Sequence, residues 1–394
     1  MLQTRVALTG NEAVAYAFKQ ARPHVASAFP ITPQTEMMHK FAEFVADGEV
    51  DTEMILVESE HSAMSAAVGS CAAGARTITA TSSAGFALMW EVLYIAASLR
   101  LPISMAVVNR ALSGNINIHN DHSDTMGGRD TGWVQIYAEN AQEAYDNALM
   151  AFRIGEHRDV RLPVMVNYDG FIISHTADAL EMLDDDAAYD FIGPYRATYS
   201  LLDVEKPITI GPLDLTDYYF EHKVGEFQAH DHAPEVVRAV SDAFAALTGR
   251  RYELFESYKL DDAELVLVVL GSTAGTAKDV IDIHRERGVK VGLLKPRLFR
   301  PFPATAIAAA LAGRRAVAVM DKSASFGGWG GPVFTEVRSA LYGASNGQPP
   351  VHNWIYGLGG RDTDLGQIAE VIGALERIAG GDEVPTLNLL GVRS

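Results

Sequence analysis

Short apolar runs alternate with amphipathic stretches along the first part of the chain. Val25–Pro30 reads as extended, and the next segment, ITPQTEMMHKFAEFVADG, reads as a turn leading into a helix with Pro33 near its first turn. Met54–Glu58 is a short strand. The small residues of Ser62–Gly74 form a tightly packed helix, and Thr77–Ser83 is the next strand. Ala84–Arg100 is predicted as one long apolar helix. Ile103–Arg110 and Leu162–Phe171 complete the series of strands. Strands that are apolar on both faces, separated by helices, predict a parallel sheet covered on both sides.

The pattern weakens between Asp184 and Asp262, where Pro, Gly and Asp accumulate, and a helix is expected only from Pro234 to Leu247. A second α/β alternation begins near Ala263. Its strands are Leu265–Leu270, Val289–Lys295 and Ala316–Ser323, with helices over Thr276–Gly288 and Ala304–Arg314. The expected division is residues 1–183 and 263–394 as two α/β domains, with 184–262 as a connector long enough to wrap a neighbouring subunit.

Composition narrows the function. A chain of 394 residues with 48% hydrophobic and 21% charged residues builds ordinary globular cores, and its length favours two of them. The net charge of −18 argues against nucleic acid as a partner, which would need a basic face. Cys71 is the single cysteine, so the chain cannot form an internal disulfide or hold an iron–sulfur cluster alone, which normally takes four thiolates. The N-terminal stretch lacks a basic region followed by an apolar core, and no stretch approaches about 18 consecutive apolar residues. The expectation is a cytoplasmic enzyme without a membrane span.

Ligands of open parallel sheets bind beyond the carboxyl ends of the strands, and the candidate residues lie at or near those ends. Thr32 sits in the Pro-flanked turn AFPITPQ, Glu60 follows Met54–Glu58, Ser82 and Ser83 follow TITAT, and Arg110 closes ISMAVVNR. Taken singly, each has an ordinary structural reading. A Glu at a helix start complements the dipole, a Thr belongs in a turn, and an Arg at a strand end pairs with some Asp. Ser82, Ser83 and Phe86 read equally well as a pocket lining or as a helix cap followed by core. His119, Asp121, His122 and Asp124 are too crowded on one loop to specify a metal geometry, and no metal site is expected there. GSTAG at Gly271 lacks the full dinucleotide fingerprint, which counts against a nicotinamide dehydrogenase.

The ordered set AFPITPQTEM, VESEHSA, ITATSSAGFALMWE, VVNRALSG, NDHSD, RDTGW and YDGFIISH resembles the alpha subunit of pyruvate:ferredoxin oxidoreductase and its 2-oxoacid relatives. GSTAGTAKDVID, RLFRPFP and SFGGWGGPVFTEVRSALY extend the resemblance over nearly the whole chain. It implies an α/β fold made of a thiamine-diphosphate pyrimidine-binding domain followed by a transketolase C-terminal-like domain. It implies that Glu60, rather than Glu58, hydrogen-bonds the aminopyrimidine ring of thiamine diphosphate and so promotes the tautomer that activates it. Ser82, Ser83 and Phe86 would flank that ring. Thr32 and Arg110 would hold the carboxylate of the 2-oxoacid, which Arg can grip with two parallel hydrogen bonds. Thr rather than Arg at position 32 favours a monoanion such as pyruvate. The implied reaction is the reversible oxidative decarboxylation of pyruvate with coenzyme A to acetyl-CoA, carbon dioxide and reduced ferredoxin.

Some required parts are missing from the sequence. Magnesium for the cofactor's diphosphate is ordinarily held from a Gly-Asp-Gly motif with a downstream Asn, and no such motif occurs. The expected partners are therefore a beta subunit carrying the diphosphate and magnesium site, and gamma and ferredoxin-like delta subunits, or fusions of them, bearing [4Fe-4S] clusters. A branched-chain or aryl 2-oxoacid enzyme is the nearest alternative, and a non-catalytic thiamine-fold scaffold is the rival of a different class.

Overall fold

A computed structural model describes residues 2–343 and 347–393 of the chain. Its strands are β1 (Gln3–Thr9), β2 (Val25–Ala28), β3 (Glu53–Leu56), β4 (Thr77–Thr81), β5 (Ser104–Asn109), β6 (Val134–Tyr137), β7 (Val164–Asp169) and β8 (Ala177–Leu183). They continue as β9 (Phe255–Tyr258), β10 (Leu265–Val269), β11 (Val291–Pro296), β12 (Leu298–Arg300), β13 (Ala316–Asp321), β14 (Val351–Ile355) and β15 (Leu387–Leu389).

The first large sheet runs β12-β6-β7-β5-β4-β2-β3 and is parallel except for β12. Side chains alternate across it as the pleat requires. Ala106 and Val108 of β5 enter a core shared with the helices Gly10–Ala21, Thr35–Ala46 and Ala141–Gly155. Met105 and Val107 enter the opposite core, under the helices Glu60–Ala72 and Trp90–Ser98. The second sheet runs β15-β14-β13-β10-β11-β9, antiparallel only at β9. It splits in the same way, with Leu265 and Leu267 on one face and Val266 and Val268 on the other. Both α/β units and the parallel sheets match the sequence reading.

Local signals account for the helix starts. Thr9 and Glu12 form a capping box, as do Asp364 and Gln367, while the Ser59, Asn140 and Asp184 side chains each cap a first turn. The predicted long helix over Ala84–Arg100 is instead two, Ser83–Leu88 and Trp90–Ser98, meeting at Met89. The helix expected over 234–247 is the C-terminal half of a 30-residue helix, Tyr219–Thr248, with Pro234 inside it. Its first ten residues are poorly buried, and burial begins at Ala229. The periodicity also does not predict the antiparallel ribbon of β1 with β8, or β12, which leaves the second unit to complete the edge of the first sheet.

The two units are joined by buried charge. Lys295 of β11 lies 2.6 Å from Glu139, 2.5 Å from Glu143 and 2.7 Å from Glu256. Burial works against its charge, but the three carboxylates win and hold the ammonium above its ordinary pKa. Asp169, at the end of β7, accepts from His122 at 2.8 Å, Ser272 Oγ at 2.5 Å and Lys322 at 3.2 Å. Burial would raise its pKa, yet Lys322 and His122 hold it well below the carboxylate range.

Candidate active site

The predicted residues gather at the carboxyl edge of the first sheet. Glu60 opens the helix Glu60–Ala72 and is buried. Ser27 of β2 fixes that first turn by donating from Oγ to the Ala63 carbonyl at 2.8 Å. Glu58, two positions earlier, is fully exposed and accepts from Ser62, which draws its pKa down. Only Glu60 therefore projects into the interior.

Glu60 packs directly on the bare backbone of Gly85, with no room for a side chain there. A Cβ on Gly85 would sit 2.5 Å from Glu60 Oε1 and 2.6 Å from Thr81 Oγ1. Thr81 Oγ1 and Ser82 Oγ are buried without a partner among the described residues. Buried hydroxyls normally find a partner. A carboxyl group next to orphaned hydroxyls and a bare glycine fits the polar edge of an aminopyrimidine ring. Ser83 is engaged differently: its Oγ donates to the Ala111 carbonyl at 2.5 Å, at a left-handed φ of 44°. Phe86 is buried and packs its ring edge on Gly128, where any side chain would collide with it.

Arg110 and Thr32 are brought together. Arg110 Nη1 donates to the Thr32 carbonyl at 2.9 Å and its Nε to the Asn117 carbonyl at 3.0 Å. No hydrogen bond from Nη2 occurs among the described residues. Burial draws the guanidinium's pKa down and Asp124 partly offsets this. The Thr32 side chain is exposed. Its turn is held from behind, since Asn11 Nδ2 donates to the Pro33 carbonyl at 2.9 Å and Tyr168 OH binds Asn11. Gly170 is needed there, because a Cβ would lie 2.8 Å from Pro33 Cγ.

Asp124 organises these strand ends, a role the sequence reading did not assign to it. Its carboxylate accepts from the backbone N–H of Ser83, Arg110 and Thr125 and from Asn109 Nδ2. Complete burial nevertheless pushes its pKa up to about 6. Gln34 was also missed. It is fully buried next to Thr32, with neither amide atom partnered among the described residues. A polar residue wedged between Pro33 and an apolar helix was its only signal. The His and Asp side chains of the loop from His119 to Asp124 point to different partners. His122 faces Asp169, Asp121 binds Ser123 and Gly359, Asp124 faces backbone N–H groups, and His119 stacks on Phe171 at 5.2 Å.

A family model described as pyruvate flavodoxin/ferredoxin oxidoreductase, thiamine diphosphate binding, matches residues 16–242. The chain belongs to that family. A second model, pyruvate:ferredoxin oxidoreductase core domain II, matches residues 263–368. Among relatives of this oxidoreductase, the pyruvate synthase subunit PorA of Thermotoga maritima is 55% identical over 91% of each chain. The protein of the same name from Pyrococcus abyssi is 45% identical over 99% of this chain and 98% of its own. The ketoisovalerate oxidoreductase subunit VorA of Pyrococcus abyssi is 45% identical over 92% of each chain. The chain is thus an alpha subunit of a 2-oxoacid:ferredoxin oxidoreductase family enzyme, built from several chains. The fold is that of a 2-oxoglutarate:ferredoxin oxidoreductase from Magnetococcus marinus, at TM-score 0.72 and 19% identity, covering 94% of this chain and 65% of the other. A split-gene transketolase aligns at TM-score 0.54 and 11% identity, covering 95% of this chain and 99% of its own.

Proposed function

We propose that the chain is the pyruvate-gripping, pyrimidine-side half of a pyruvate:ferredoxin oxidoreductase. The carrying observation is that buried Glu60 and the Arg110–Thr32 pair share one sheet edge in a chain 55% identical to a pyruvate synthase subunit. Thiamine diphosphate, when bound, supplies the carbon nucleophile and the electron sink that decarboxylation of a 2-oxoacid requires.

When the cofactor is bound, Glu60 would offer its carboxyl group to the pyrimidine nitrogen, in a site where burial strengthens the coupling. Thr81 and Ser82 offer their unpartnered hydroxyls to the same ring. Phe86 shuts out water behind it. Arg110, with Nη2 still free to donate among the described residues, takes the substrate carboxylate. Thr32 adds a hydroxyl donor and no second cation, which suits a monoanion. Together they hold the keto carbon in one place, which is where much of the rate gain of such an enzyme arises.

The partners are a beta subunit holding the diphosphate through magnesium, and chains bearing [4Fe-4S] clusters that pass electrons to ferredoxin. Support comes from the missing Gly-Asp-Gly motif and the single cysteine. The stretch 199–227 is proposed to wrap such a partner, because Leu202, Val204, Leu213, Phe220 and Phe227 on it are exposed. Among the described residues no helix is long and apolar enough to cross a membrane, and coenzyme A and ferredoxin as co-substrates favour the cytoplasm. The 45% identity to a ketoisovalerate oxidoreductase subunit favours a branched-chain 2-oxoacid as the second reading.

The test is viologen reduction by the complex purified with its native partners, across pyruvate, 2-oxoisovalerate, 2-oxoglutarate and oxalate, with and without coenzyme A. Pyruvate- and coenzyme-A-dependent reduction supports the first reading. Preference for 2-oxoisovalerate moves the substrate to the second, and no reduction with any of them returns the chain to a scaffold.

A further inference from the structure

The loop that follows Arg110 has almost no core of its own. Residues 112–116 are exposed, Ile116 strongly so, and Asn117 is the first side chain to turn inward. Ala111 N–H donates to the His119 carbonyl at 3.0 Å and Leu112 N–H to Ser123 Oγ at 2.8 Å, and the second unit adds a further hold on the loop. The turn Leu358–Gly360, which follows β14, meets it through Asn117 Nδ2, which donates to the Gly359 carbonyl at 2.9 Å. The Gly359 N–H donates in return to Asp121 Oδ2 at 3.0 Å. Within the loop, Asn117 Oδ1 accepts from the His119 N–H at 2.7 Å.

The glycines of the turn are required twice over. Gly357, Gly359 and Gly360 all have left-handed φ, at 65°, 62° and 76°. A Cβ on Gly359 would collide with Asn117 Nδ2, and one on Gly360 with His119 Cβ. The backbone of the turn therefore lies directly on the loop, at a distance no other residue permits.

We infer that this turn is a positioning device for the substrate-binding guanidinium. Asn117 is its positioning residue: its carbonyl fixes Arg110 Nε at 3.0 Å while its side chain is fixed by Gly359. The second α/β unit thereby orders an exposed loop before substrate arrives. Without it, substrate binding would have to carry the entropy cost of ordering the loop. The inference rests on the proposed role of Arg110.

The experiment uses the complete multi-chain enzyme carrying Asn117→Asp, Gly359→Ala or Arg110→Ala. Asn117→Asp keeps the size of the side chain and the bond from His119 but cannot donate to the Gly359 carbonyl. It is expected to raise KM for pyruvate roughly 10-fold, the value of one hydrogen bond, with kcat nearly unchanged. Hydrogen exchange over 112–119 should also become faster without substrate. Gly359→Ala should do the same, and Asn117→Asp carries the test if that variant does not assemble. A raised KM in Arg110→Ala with unchanged KM and exchange in Asn117→Asp overturns the positioning role alone. An unchanged KM in Arg110→Ala overturns the substrate site itself.

Discussion

Arg110 donates from Nη1 to the backbone carbonyl of Thr32 across 2.9 Å. The pair lies 78 positions apart in sequence, Arg110 directly after β5 and Thr32 in the turn after β2, so the parallel sheet brings both parts of the proposed carboxylate grip to one edge. A guanidinium held by two backbone carbonyls, those of Thr32 and Asn117, leaves Nη2 to donate to substrate.

Arg110→Ala should raise KM for pyruvate roughly 10- to 100-fold, matching the about 1.5–3 kcal/mol typical of a hydrogen bond to a charged group. Arg110→Lys should recover only part of this, because an ammonium cannot present two parallel donors. Steady-state kinetics of the assembled enzyme check both.

Glu60→Gln should lower kcat by roughly 10²–10⁴-fold, the usual span of general acid–base assistance, while KM for pyruvate and the melting temperature stay close to wild type. The substitution keeps the shape of a side chain that makes no hydrogen bond to the protein among the described residues. Wild-type turnover would remove Glu60 from the chemistry.

Gly85→Ala places a methyl 2.5 Å from Glu60 Oε1 and 2.6 Å from Thr81 Oγ1. Overpacking of this kind costs about 1–3 kcal/mol and displaces the carboxyl. The variant should retain less thiamine diphosphate than wild type after gel filtration, as read by thiochrome fluorescence.

Asp169→Asn should destabilise the chain by about 3–5 kcal/mol, because Lys322 loses its buried counter-charge. The pH dependence follows from its depressed pKa. A carboxylate held below its unfolded value contributes fully above about pH 4 and loses that contribution as pH falls toward the folded value. The gap in denaturant midpoint between wild type and variant should persist at pH 5 and shrink below pH 4.

How much of this was legible in the sequence depended on distance along the chain. Glu60, Ser82, Ser83 and Arg110 are legible because each lies within a few residues of the end of its own strand, and strand ends mark the ligand edge. Asp169 could be placed at a strand end, but Lys322 and Ser272 lie 153 and 103 positions away, and nothing local announces them. Asp124 looked like a crowded metal loop because its true partners are backbone N–H groups, which the sequence does not display. The sequence shows only the second half of the helix Tyr219–Thr248 because Pro234 resembles a helix start, and the exposed aromatics before it, such as Phe220 and Phe227, blur the apolar period.

Under the proposed function this chain carries the pyrimidine-side carboxyl and the substrate grip, while the diphosphate anchor belongs to another chain. Equilibrium dialysis of thiamine diphosphate with magnesium, against the chain alone and against the complex with its native partners, tests this most directly. Retention by the complex and no stoichiometric binding by the chain alone is the predicted result. Tight stoichiometric binding by the chain alone would contradict it.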